Sequence, residues 1–193
     1  MAVGMVVPTL HQYFLQAGGG LSDYYLALNL TTVAMMLCSL LLGILLDHCH
    51  CMRMVFAATV TFSIFGNLLY YAADAFPEAR HPATILVARV IVGCGSSNFA
   101  LGFAFLGKVA MDQERQTWVV GFSMTRSLGL LAGPGITSLL TWTKRSIALP
   151  GLLLAVANVV ALLWLLVAWK EPPALPRLRD PPAARGSHLR RFV

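Results

Sequence analysis

A multi-span helical membrane protein is the fold class this sequence predicts, and three observations predict it. The chain has 193 residues, 58% of them apolar and 11% charged, whereas a soluble domain carries about 25% charged residues. Its mean hydropathy is +0.72, more apolar surface than one soluble domain of this size could hide. The apolar residues also fall into runs of membrane length separated by short polar loops, and a bilayer takes about 20 helical residues to cross. The expected architecture is an all-α bundle of six transmembrane helices over residues 1–171. A Pro- and Arg-rich tail over residues 172–193 follows, read as disordered and cytosolic.

The spans follow in order. Met1 to Gln16 is apolar, lacks a basic leader, and is broken by Gly18-Gly19-Gly20. It reads as the back part of a first helix. Tyr24 to Leu46 is the second span. Asn29-Leu30-Thr31 has the glycosylation pattern, but at a depth no glycosyltransferase reaches. A polar loop, Asp47 to Arg53, leads to the third span, Met54 to Ala73. Pro77 and Pro82 punctuate the next loop. Thr84 to Gly107 is the fourth span and Trp118 to Trp142 the fifth, joined by a charged loop from Lys108 to Arg115. Pro150 opens the sixth, where its missing N–H does no harm, and Trp169 beside Lys170 closes it at an interface.

Loop charge sets the orientation. Arg53, Lys108, Arg115, Lys170, Arg177, Arg179, Arg185, Arg190 and Arg191 lie on one side; Arg80, Lys144 and Arg145 lie on the other. The richer side, with the Asp47 loop and the tail, is expected in the cytosol. The tail carries most of that excess.

Two spans hold an arginine each, Arg89 and Arg126. An arginine at bilayer depth costs about 2.5–3.5 kcal/mol on insertion scales, so it turns to a partner helix, a ligand or water. Arg89 lies close enough to its span's end to snorkel; Arg126 lies near the middle. The spans offer neither an acid. Arg89, Arg126 and the amide of Asn98 are therefore the candidates for a transport path. Gly93 and Ser97, and Gly129 and Gly133, are small-xxx-small pairs that bring backbones together in lipid. Arg89, Gly93, Ser96, Ser97 and Ala100 share one helical face. Pro134 cannot donate to the Leu130 carbonyl, so the fifth span is expected to bend, as a hinge or as static packing. Gly43 and Asp47, a turn apart, and Arg53 form a candidate gate loop, with ordinary span termination as the plain alternative.

Several chemistries are excluded. The basic residues do not interleave with aromatics, which argues against nucleic acid. Four cysteines show no disulfide framework. His48-Cys49-His50-Cys51 is too crowded for one metal ion. Gly93-Cys94-Gly95 follows no strand and is not a dinucleotide loop. Gly121-Phe122-Ser123 lacks the second glycine of a nucleophile elbow. No catalytic pair, metal or cofactor is expected, and the chain does not read as an enzyme.

Six spans, Gly43…Asp47…Arg53, Arg89 before a Gly run, and Gly129-Leu-Leu-Ala-Gly133-Pro134 together resemble the N-terminal half of the major facilitator superfamily. LVARVIVGCGSSN, DQER and SMTRSLGLLAGP look most like its lysosomal branch, called major facilitator domain-containing protein eight. The resemblance implies a transporter or related channel, in a lysosomal or vacuolar membrane, that moves a small solute or ion by rocking two six-helix bundles. It places Arg89 on the fourth-helix arginine, and Gly129, Gly133 and Pro134 on the fifth-helix glycine–proline motif. Gly43 and Asp47 fall on the loop that braces the cytosolic gate. That loop departs from the family, which has basic residues where His48 to Met52 stand. A first helix that starts late and a missing second bundle imply a fragment, or a half that pairs with another membrane subunit. The expected function is transport of a small solute, an anion being the choice the arginines favour. The alternative is a half-bundle that moves nothing and associates with another membrane protein.

Overall fold

A computed structural model describes residues 2–16, 18–49, 52–73, 81–110, 112–142 and 149–169. The tail and the centre of the His48–Cys51 loop lie outside the described residues. The described elements are helices α1 (Ala2–Gln16), α2 (Leu21–Cys49), α3 (Met52–Ala72), α4 (His81–Ser96), α5 (Asn98–Val109), α6 (Asp112–Trp142) and α7 (Leu149–Ala168). Six rods result, because α4 and α5 are two halves of one.

Local chemistry sets the boundaries. Gly18 adopts a left-handed φ of 75°, while Gly19 N donates to Phe14 O at 2.8 Å and Gly18 N to Leu15 O at 3.3 Å. That double bond pattern over a left-handed glycine ends α1 and satisfies its last carbonyls. Asp23 then accepts from Gly20 N at 2.9 Å, closing the start of α2 from its third position, where negative charge also suits the helix dipole. The fourth span, expected as one helix, is interrupted at Ser97. Ser97 Oγ donates to Cys94 O at 2.6 Å, and Ser97 N reaches the same carbonyl at 3.4 Å. A hydroxyl competing for backbone acceptors tightens one turn. Ser97 keeps helical angles, φ −64° and ψ −12°, so the rod continues. Its shared face does not fully survive: Arg89, Gly93 and Ser97 are buried, but Ala100 is exposed.

Four segments are long and apolar enough to cross a membrane: Leu21–Leu46, Met52–Ala72, Pro82–Gly107 and Leu149–Ala168. The other two expected spans fall short for different reasons. α1 has only 15 residues. α6 has 31, but charge at its start and glycines, hydroxyls and Arg126 along it dilute its apolar character.

α3 packs along α4 and α7, α2 along α4, and α1 along α6. Exchanging the first three rods with the last three turns the α1–α6 contact into the α2–α4 contact and returns α3–α7 to itself, but it turns the close α3–α4 packing into the slight α1–α7 contact, so the two sets of three are only partly equivalent. Glycines mark the crossings. A Cβ on Gly66 would stand 2.8 Å from Val92 N, on Gly95 2.6 Å from Ser63 N, on Gly93 3.0 Å from Ala34 Cβ, and on Gly151 3.0 Å from Asn67 O. Backbones thus meet where lipid gives no hydrophobic drive between helices. One apolar core joins Leu10, Phe14, Tyr70, Ile85, Ala88 and Leu154. A second, at the opposite end, joins Leu46, Met52, Val55 and Leu101.

Leu37, Leu40, Leu41 and Ile44 on α2, and Leu163, Trp164 and Val167 on α7, point outward and are exposed. Soluble monomers seldom show apolar faces of this extent; a lipid-solvated bundle does. Polar side chains on the same rods turn back on their own helix. Thr31, Ser39, Thr61 and Asn158 each donate to the carbonyl four residues earlier, at 2.7–2.8 Å. In hydrocarbon such internal bonds stand in for water.

Candidate functional site

Arg89 lies on the inward stripe of α4, flanked by buried Ile85, Ala88 and Val92. That stripe turns the side chain into the bundle, and only 5% of the residue is exposed. The snorkelling open to it in the sequence is not taken. Its guanidinium carbon sits 4.3 Å from the Tyr70 ring centroid. Tyr13 of α1 meets Tyr70 edge-on, centroids 5.0 Å apart, and its hydroxyl donates to Tyr70 O at 3.4 Å. Nε and Nη2 of Arg89 have no hydrogen-bond acceptor among the described residues. A turn from Tyr70, Asn67 is fully buried. Its amide nitrogen donates to Ser63 O at 2.7 Å, while its Oδ1 lacks a donor.

Magnitudes decide what this buried guanidinium needs. Removing an ion from water costs several kcal/mol even after relaxation. A cation–π contact returns about 2 kcal/mol when desolvated. Tyr70 alone does not balance the guanidinium, and among the described residues two of its nitrogens have no acceptor.

Arg126, expected to turn to a partner helix, a ligand or water, is exposed on the surface of the six described rods. The physical reason is the thin packing of α6, whose buried positions are Gly129, Gly133 and Thr137. Arg126 is held by an aromatic platform instead. Its guanidinium carbon lies 4.0 Å from the Phe99 centroid. Phe99 stacks on Phe122 at 5.1 Å and 12°, and Phe103 stands edge-on to both. The two arginines are not brought together. Ten residues separate Arg89 from Phe99, roughly 15 Å of helix.

Asn98 occupies a third place. It lines a cavity of about 480 Å³ with Gly102, Phe105 and Leu106 of α5, Phe56 of α3, Phe122 of α6, and Trp169 after α7. Gly43 is exposed, and a Cβ there would meet nothing within 4 Å. Asp47 falls within α2, with its side chain outside the described residues. Arg53 Nη2 donates to Leu166 O, joining the start of α3 to the end of α7. Pro134 is exposed within a continuous α6. Among the described residues no cluster of three or more His, Cys, Asp or Glu could hold a metal ion. Sequence reasoning missed Tyr70 and Tyr13 against Arg89, and Trp169 as a cavity wall. The one available signal was the density of aromatics near those span ends.

Lipid-length helices, glycine crossings and a buried cation with no acid beside it among the described residues define a polytopic helical membrane protein. The chain belongs to the major facilitator superfamily, whose model matches residues 1–191. It is similar to an SPX domain-containing membrane protein of Arabidopsis thaliana, 27% identical over 179 residues, covering 89% of this chain and 24% of that protein. A second from the same plant is 26% identical over 179 residues, covering 89% and 25%. An SPX domain-containing membrane protein of Oryza sativa subsp. japonica is 25% identical over 175 residues, covering 87% and 24%. The chain thus spans about a quarter of the length of these relatives.

Proposed function

We propose that this chain is one six-helix half of a secondary transporter that moves a small anionic solute or ion by alternating access. The observation that carries this is Arg89: a buried guanidinium with open donors and no acid beside it among the described residues. An anion reaching Arg89 would supply the missing acceptors. Asn98 and Arg126 would meet the solute elsewhere along the path, Arg126 from a face that a second six-helix half would cover. Gly129, Gly133 and Pro134 would let α6 adjust as the halves rock. Gly43, Asp47 and Arg53 would brace the cytosolic gate. The resemblance to the lysosomal branch favours a lysosomal or vacuolar membrane.

A second reading is a half-bundle that binds another membrane protein and transports nothing. The exposed Arg126 favours it, since a bound partner would cover that face. Anion flux into proteoliposomes separates the two. For the transporter, Arg89→Gln lowers flux at least tenfold and Arg89→Lys retains part of it. Equal flux for wild type and both variants would refute the role of Arg89. No flux when the chain is reconstituted together with the membrane partner that co-purifies with it would establish the second reading.

A further inference from the structure

The cavity that Asn98 lines at the α5–α7 end carries further chemistry, beyond that amide, which the proposed solute path leaves unused. Its walls are mostly aromatic and aliphatic: Phe56, Phe105, Leu106, Phe122 and Trp169. Trp169 is clamped between Phe56 at 5.4 Å and Phe105 at 4.7 Å. Its indole Nε1 is buried and has no acceptor among the described residues. A buried indole N–H ordinarily finds an acceptor. At 480 Å³ the cavity lies within the range of ligand pockets, about 300–1,000 Å³.

Two cations stand at this end. Arg53 is one turn before Phe56 on α3 and holds the Leu166 carbonyl, one turn before Trp169. Arg115 of α6 lies over Gly107, next to Leu106, its Nη2 3.0 Å from where a Cβ on that glycine would be. A guanidinium carries five donors, so Arg53 keeps donors to spare. Apolar walls with one orphan N–H and two arginines on neighbouring turns therefore share this end of the bundle. A phospholipid carries the complementary groups: acyl chain, ester carbonyl, phosphate. Basic pockets between transmembrane helices recognise anionic headgroups in this way.

We propose that this cavity binds an anionic glycerophospholipid. One acyl chain lies among Phe56, Phe105, Leu106 and Phe122. An ester carbonyl accepts from Trp169 Nε1, and the phosphate meets Arg53 and Arg115. The site does not depend on transport, so a chain that moves nothing would still have it.

The test uses the full chain in nanodiscs of dioleoylphosphatidylcholine, with brominated phosphatidylglycerol or brominated phosphatidylcholine added at equal mole fraction. Bromine quenches nearby tryptophan emission, and subtracting the Trp169→Phe signal isolates Trp169. The expected result is at least threefold stronger quenching of Trp169 by the brominated phosphatidylglycerol. That preference disappears in Arg53→Gln/Arg115→Gln and persists in Arg53→Lys/Arg115→Lys, which also shows that the fold is retained. Leu106→Trp, which fills the cavity but keeps both arginines, lowers quenching by both lipids in the signal assigned to Trp169. Equal quenching by the two lipids in the wild type, or a preference that survives neutralising both arginines, would overturn the proposal.

Discussion

At the scale of single residues, Arg89 separates a functional from a structural cation. A buried charge held by partners is costly to remove, because the partners are then left unpaired. Among the described residues Arg89 leaves Nε and Nη2 without an acceptor and sits over the Tyr70 ring. Replacing it with an apolar side chain of similar length should therefore not harm the fold. Arg89→Met is expected to leave thermal stability in detergent unchanged or raised by up to about 4 kcal/mol, while abolishing flux. A transported anion at a hundred times its Kd should stabilise the wild type by about 2.7 kcal/mol and leave Arg89→Met unmoved. Thermal-shift measurements read both effects. A drop in the melting temperature of Arg89→Met would make the arginine a structural strut.

At the scale of elements, close approach of backbones holds the rods together, and the glycines report where it occurs. A Cβ on Gly95 would sit 2.6 Å from Ser63 N and 2.8 Å from Thr59 O, both backbone atoms that cannot swing aside. Gly95→Ala is expected to destabilise by about 1–3 kcal/mol, the usual cost of overpacking. Gly43 and Gly121 have nothing within 4 Å of that position. Alanine there should be neutral or stabilise by up to about 1 kcal/mol, the helix-propensity difference. Melting curves of the three variants test the ordering, and an equal loss in all three would contradict the packing. The rods themselves were legible in the sequence, because an apolar run of fixed length is a one-dimensional signal. The break at Ser97 was not: a hydroxyl interrupts a helix only when it takes a backbone acceptor, and Ser96 beside it bonds Val92 O without doing so. Arg89 stood out as a charge in an apolar span, but its Tyr70 partner comes from another helix. The aromatic cavity drew on four separate segments, so no stretch of sequence announced it; Trp169 alone read as an interfacial anchor.

At the scale of the whole molecule, the question is which face of the six rods avoids lipid. α2 and α7 present continuous leucine, valine and isoleucine surfaces, as expected against acyl chains. α6 presents Thr125, Arg126 and Ser127 on exposed positions, beside Phe99 and Phe122. The hydroxyls of Thr125 and Ser127 are turned onto the carbonyls of Gly121 and Ser123, but Arg126 has no such retreat. Its contact with Phe99 at 4.0 Å offsets about 0.5–2 kcal/mol of an insertion cost of about 2.5–3.5 kcal/mol. The remainder favours water or a protein partner over hydrocarbon at this position, which is what a half-bundle's transport face requires. In proteoliposomes of a variant with the native cysteines changed to serine, Arg126→Cys should react with a charged, membrane-impermeant thiol reagent. Leu163→Cys, on the lipid face of α7, should react at least tenfold more slowly. A second six-helix half bound over α6 should slow labelling at position 126 and leave position 163 unchanged. If position 126 labels as slowly as 163 in the chain alone, the α6 face is lipid-covered, and both the proposed transport face and the docking of a second half on it are refuted together.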